Sequence, residues 1–113
     1  MITQGEVWWA DLRDPTGSEP GYNRPLVVVQ GESYNLSRVR TVVIVPLTSQ
    51  LRRGDVPGNV RLPAEMTGLP RESVANVSQI SAVDRRRLVE RVGAIPEAKL
   101  NLIFAGIDVV LGR

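Results

Sequence analysis

The chain has 113 residues, 42% of them hydrophobic, and a formal net charge of +2. That is enough apolar material for one domain, residues 1–113, with a real core, and it excludes intrinsic disorder. Cysteine and histidine are both absent, which excludes disulfides, thiolate zinc sites, a cysteine nucleophile and a histidine base, and argues against a dedicated transition-metal site.

Residues 6–12, Glu-Val-Trp-Trp-Ala-Asp-Leu, are rich in aromatic and β-branched side chains and predict a strand. Successive strand residues point to opposite faces, so Trp8 and Trp9 must part, most simply as two packing residues. Residues 13–24 carry Asp14-Pro15, Gly17 and Gly21, all turn signals, in a loop long enough to suggest a function. Residues 26–30 and 41–47 are continuous apolar runs, as in strands buried on both sides. The polar segment 31–40 connects them. An exposed loop over 51–58 leads to a short strand over 59–62 and a turn or single helical turn over 63–71. Residues 73–77 read as a strand bending into Ser78-Gln79-Ile80. Residues 83–88 suggest a short helix with a basic face, Arg85-Arg86-Arg87, and 89–95 a last strand.

Pro96 suits the first position of a helix, where its missing N–H is no loss. That helix is predicted over 96–111, with Leu100, Ile103, Phe104, Ile107, Val110 and Leu111 in one stripe. Ala98, Leu102, Ala105 and Val109 extend the apolar surface round the other side. Such a helix is buried on two sides, the second being a groove of its own domain or a partner subunit. Many short strands, Gly/Pro turns and one long helix indicate a mainly β fold, a small barrel with helical decoration.

No apolar run approaches the roughly 18 residues of a membrane span, and the polar opening Thr3-Gln4-Gly5-Glu6 is unlike a signal peptide. The expected compartment is the cytoplasm. Of the 14 basic residues only Lys99 is not arginine. A guanidinium offers a planar fork that matches phosphate and stacks on bases, although a solvated surface has the same composition.

Three polar clusters interrupt the apolar strands at their ends: Ser18/Glu19/Arg24, Thr48/Ser49 and Ser78/Gln79. A barrel could bring them to one rim. Arg24 and Thr48 suit a phosphodiester, as a charged fork and a neutral donor aimed at non-bridging oxygens. Gln79 suits a base edge, since its amide both donates and accepts. Polar turn residues that merely cap strands would leave the same pattern. Arg52 and Arg53 either track a nucleic-acid backbone or belong to a solvated loop.

The sequence resembles the MazF/PemK family of toxin endoribonucleases over nearly its whole length. The matching stretches include Gly5-Glu6-Val7-Trp8-Trp9-Ala10-Asp11-Leu12, Gly17-Ser18-Glu19 with Arg24-Pro25, and Val45-Pro46-Leu47-Thr48-Ser49. Pro57-Gly58-Asn59-Val60, Glu72-Ser73-Val74-Ala75, Gln79-Ile80 and Asp84-Arg85-Arg86-Arg87-Leu88 continue the match. The resemblance implies an SH3-like β-barrel with a C-terminal helix, a homodimer, metal-independent cleavage of single-stranded RNA without a cofactor, and a cognate MazE-like antitoxin. It puts the catalytic arginine on Arg24, the catalytic threonine on Thr48, and RNA contacts on Ser18 and Gln79. Glu19 falls on a commonly acidic position. Pro20 and Tyr22-Asn23 depart from the family's usual residues, which bears on loop shape and base preference. RNA supplies its own 2′-OH nucleophile, so such an enzyme need only align and stabilise; Glu19 or a water chain would take the 2′-OH proton. Two alternatives remain at this point: a CcdB-like toxin of the same barrel that binds gyrase and cleaves nothing, and a degenerate member that only binds RNA or antitoxin.

Overall fold

The computed structural model describes residues 1–12 and 23–113. Within them seven antiparallel strands form one sheet: β1 (Glu6–Asp11), β2 (Asn23–Val28), β3 (Thr41–Thr48), β4 (Val60–Leu62), β5 (Ser73–Ala75), β6 (Ser81–Asp84) and β7 (Leu88–Ala94). Their order is β4-β5-β3-β2-β1-β7, with β6 beside β3. The sheet curls into a half-barrel, closed by a C-terminal helix, α3 (Glu97–Leu111). Two one-turn helices, α1 (Glu32–Asn35) and α2 (Ala64–Thr67), lie in connections.

β3 is the spine. On one edge it pairs with β2; on the other its first half pairs with β6 and its last two residues with β5. Pro46, which has no N–H to give, sits where the partner changes, and its carbonyl accepts from the Asn76 amide at 2.9 Å. Strand alternation then sorts the side chains. Val7, Val27, Val45 and Leu47 join the cluster beneath α3, while Ala10, Leu26, Val28, Val42 and Ile44 form a second cluster on the opposite face. This is why the runs in β2 and β3 are continuous rather than alternating: both faces are covered. Trp9 packs on the first cluster and Trp8 on the second.

On α3, Leu100, Ile103, Phe104 and Ile107 pack on the first cluster. Val110 and Leu111, expected in the same stripe, are instead exposed. Pro96 is the capping residue, with extended backbone, rather than the first helical one. At Gly106 the helix backbone meets the turn at Gly58 so closely that a Cβ on Gly106 would lie 2.0 Å from the Gly58 carbonyl oxygen.

The helix expected over 83–88 is absent. Val83 pairs with Val42 in the ladder, and the Asp84 carboxylate accepts the Arg86 amide at 2.8 Å. These contacts make a strand end followed by a single 3₁₀ turn, Arg85–Arg87. β6 itself has no strong signature in the sequence. β5 ends at Ala75, short of the predicted 77, and β2 starts at Asn23, so Arg24 belongs to a strand rather than to the loop before it. The polar connection 31–40 contains α1, held by a buried amide pair. Gln30 donates to Asn35 Oδ1 at 3.0 Å, and Asn35 Nδ2 donates back to the Gln30 carbonyl at 2.9 Å.

Candidate active site

Arg24 and Thr48 line one cleft of about 390 Å³. β2 supplies Asn23, Arg24 and Pro25. The end of β3 and the residues after it supply Leu47, Thr48, Ser49 and Gln50, and the segment leading into β5 supplies Leu69, Pro70, Arg71, Glu72 and Ser73. Trp9 enters from β1, opposite Pro25 in the ladder.

Each side chain is placed by its ladder. Arg24 pairs with Ala10 and is half-buried, next to the apolar run of β2. Thr48 pairs with Val74. Its hydroxyl accepts the Gln50 amide at 3.2 Å, which leaves its own proton to give to a ligand. Among the described residues the cleft therefore offers two guanidiniums, Arg24 and Arg71, one carboxylate, Glu72, and the hydroxyls of Thr48, Ser49 and Ser73, over apolar walls of Trp9, Leu47 and Leu69. Charged forks and neutral donors above an aromatic surface suit a phosphodiester with its flanking bases.

Of the three polar clusters expected at one rim, the described residues bring together Arg24 and Thr48/Ser49. Ser18 and Glu19 lie outside the described residues. Gln79 does not line the cleft. It is the exposed end of a 3₁₀ turn, Val77–Gln79, that is anchored by the buried Val77 and packs against α3, whereas the cleft is lined from the segment leading into β5. Arg52 and Arg53 are exposed on a 3₁₀ turn, Leu51–Asp55, immediately after Gln50; they flank the cleft without lining it. Sequence reasoning passed over Arg71 and Glu72. Their only signal is a charged pair just ahead of the strand that pairs with Thr48.

Away from the cleft, Glu6 is a buried carboxylate. It accepts from the Thr3 amide at 2.8 Å, the Trp8 indole at 3.1 Å and the Arg91 guanidinium at 2.6 Å. Burial alone would push its pKa up; the hydrogen bonds from Thr3, Arg91 and Trp8, with the charge of Arg91, outweigh burial and hold it below the ordinary value. Among the described residues no three carboxylates cluster as ligands for a metal ion, and no helix is long and apolar enough to cross a membrane.

A family model described as PemK-like, MazF-like toxin of type II toxin–antitoxin system matches residues 3–111. Endoribonuclease MazF6 of Mycobacterium tuberculosis is 41% identical over 111 residues, covering 98% of this chain and 97% of that protein. Endoribonuclease MazF of Staphylococcus epidermidis is 31% identical, covering 99% and 92%. Among solved structures, a MazE–MazF crystal structure from Deinococcus radiodurans superposes with a TM-score of 0.82 at 25% identity, covering 99% of this chain and 96% of that one.

Proposed function

The chain belongs to the PemK-like, MazF-like toxins of type II toxin–antitoxin systems, and we propose that it is an endoribonuclease that cuts single-stranded RNA at the Arg24–Thr48 cleft. The observation that carries the reading is the convergence of Arg24 and Thr48, from the paired strands β2 and β3, on one polar cleft. The names of the curated relatives favour a nuclease over a gyrase-binding toxin.

The reaction uses the substrate's own 2′-OH. Its oxygen attacks the adjacent phosphorus in line, its proton passes to a base, and the bond to the 5′ oxygen breaks as that oxygen takes up a proton. The products are a 2′,3′-cyclic phosphate and a 5′-OH. Arg24 neutralises the charge that builds on the phosphorane and sits beside the leaving oxygen as its proton source. Thr48 donates to a non-bridging oxygen. Glu72 is the described carboxylate in the cleft, and it joins Glu19 and water as the acceptor of the 2′-OH proton. An arginine is a poor base, since its pKa exceeds about 12. Ser18, Gln79, Arg52 and Arg53 hold the strand on either side of the scissile bond.

The protein acts in the cytoplasm, where RNA is available, and its antitoxin is MazE-like, as in the D. radiodurans pair. It works as a homodimer. Support comes from the outer face of α3, where Leu102 is 51% and Val109 58% exposed beside a shallow apolar groove against residues 58–61. The test is incubation of the purified protein with single-stranded RNA in excess EDTA. Cleavage to 5′-OH and cyclic-phosphate ends supports the reading; intact RNA, or cleavage only when Mg²⁺ is restored, overturns it.

A further inference from the structure

At the opposite end of β3 from Thr48 lies a second cleft, of about 400 Å³, lined by Arg38, Arg40, Arg85 and Arg86 with a single carboxylate, Asp84. Seven residues of strand at about 3.4 Å each put it roughly 24 Å along β3 from the Arg24–Thr48 cleft. We infer that this cleft is a phosphate-binding site for the flanking nucleotides of the RNA strand, an inference that rests on the nuclease reading.

The cleft is organised around one held arginine, Arg85, with the exposed Arg38, Arg40 and Arg86 around it. Arg85 is clamped: one terminal nitrogen donates to the Asn35 carbonyl at 2.8 Å and the other to the Tyr34 carbonyl at 2.7 Å, at the end of α1. The buried Gln30–Asn35 amide pair fixes that end of α1 in turn. Both acceptors are neutral, so the charge of Arg85 is held in place without being cancelled. The Arg85 amide donates to the Arg40 carbonyl at 2.9 Å, which ties the two arginines to adjacent strands. Asp84 is bonded to Arg86, at 3.1 Å, and also faces the charge of Arg40. Among the described residues Arg38 and Arg40 are exposed and in no ion pair. The described lining thus carries four positive charges against one negative.

The choice of ligand follows from what the cleft lacks. A polypeptide that folds onto a groove needs apolar anchors, and the one large apolar side chain in this lining is Val39. A chain of regularly spaced phosphates needs only forks and fixed charge. Because phosphate contacts position a strand without reading its bases, the cleft raises affinity for longer RNA and leaves the cleavage sequence unchanged.

The experiment compares wild type with the Arg38→Ala/Arg40→Ala double variant, whose exposed substitutions leave the melting temperature unchanged. Binding of a mixed-sequence 2′-O-methyl RNA of about 16 nucleotides, a length that single-strand binding folds span, is measured by fluorescence anisotropy over a range of salt. The strand lacks a nucleophile, so binding is read whether or not the protein cuts. The wild-type log–log salt slope should be steeper by about 1.4, at about 0.7 per phosphate contact on a single strand. Equal slopes overturn the inference, even if cleavage of ordinary RNA is normal. So does a poly-glutamate peptide that loses affinity in the variant when the RNA does not, an outcome that would assign the cleft to an acidic protein segment. Absence of cleavage with the slope difference intact overturns the nuclease reading alone.

Discussion

Gly106→Ala tests the packing that closes the half-barrel. The new Cβ would lie 2.0 Å from the Gly58 carbonyl oxygen, about 1 Å short of the 3.0 Å below which something must shift. Both partners are backbone, so no side chain can swing away, and Gly58 is itself held at φ +92. α3 must lift by about that ångström and loosen Ile103, fully buried at 0%, together with Phe104 and Ile107. Overpacking of this kind costs about 3 kcal/mol. Replacing a mid-helix glycine by alanine returns about 1 kcal/mol, so the steric cost wins by about 2 kcal/mol. An unfolding entropy of about 2.1 cal/mol/K per residue over this chain converts that to a melting point lower by roughly 8 °C. Gly31→Ala is the control. Nothing lies within 4 Å of its Cβ position and its φ is −67, so its melting point should stay within about 4 °C. Thermal melts followed by circular dichroism measure both. A Gly106→Ala protein melting within about 2 °C of wild type would refute the close backbone contact between α3 and the 58 turn.

Three further outcomes are expected. Thr48→Ala removes a neutral donor and should slow single-turnover RNA cleavage by about 10-fold to 100-fold, less than loss of a charged group, with the fold retained; an unchanged rate would remove Thr48 from the reaction. Glu6 has a folded pKa below the ordinary value of 4.5, so its stabilisation is complete above pH 4.5 and is lost as the pH falls through the folded pKa. The melting-point gap between wild type and Glu6→Gln should therefore be flat from neutral pH down to about 4.5 and narrow below it; a gap that widened in acid would contradict the Glu6–Arg91 account. Sedimentation equilibrium at micromolar concentration should give twice the chain mass, and Leu102→Glu should shift the protein toward monomer; a wild-type monomer would leave the exposed face of α3 without its proposed partner.

Much of this fold was legible because residue type and burial agree. Trp8 and Trp9 parted to the two faces that strand alternation requires, and the unbroken runs of β2 and β3 marked strands covered on both sides. The failures share a cause: short elements are decided by tertiary contacts that no local pattern carries. β6 is a strand because Val83 meets Val42 across the ladder, while its neighbours Arg85–Arg87 look helical only for want of a breaker. α1 exists because Asn35 finds Gln30, and an isolated four-residue helix has no stability of its own. The cleft was half legible. Arg24 and Thr48 stand out as polar residues ending apolar strands, and the sheet brings them together. Arg71 and Glu72 reach the same place through the β3–β5 pairing, which the sequence does not announce. Gln79 fails to join them because the turn that carries it packs against α3.

The central claim is that Arg24 acts on the scissile phosphate. Single-turnover cleavage of one single-stranded RNA by wild type and Arg24→Ala, with thermal melts of both, tests it most directly. Removal of a transition-state donor costs on the order of 10²–10³ in rate, and a guanidinium that also delivers a proton costs more, so Arg24→Ala should lose at least that factor while melting near the wild-type temperature. Arg24→Lys keeps the charge without the fork and should recover only part of the rate. A folded Arg24→Ala protein that cleaves at close to the wild-type rate would contradict the account.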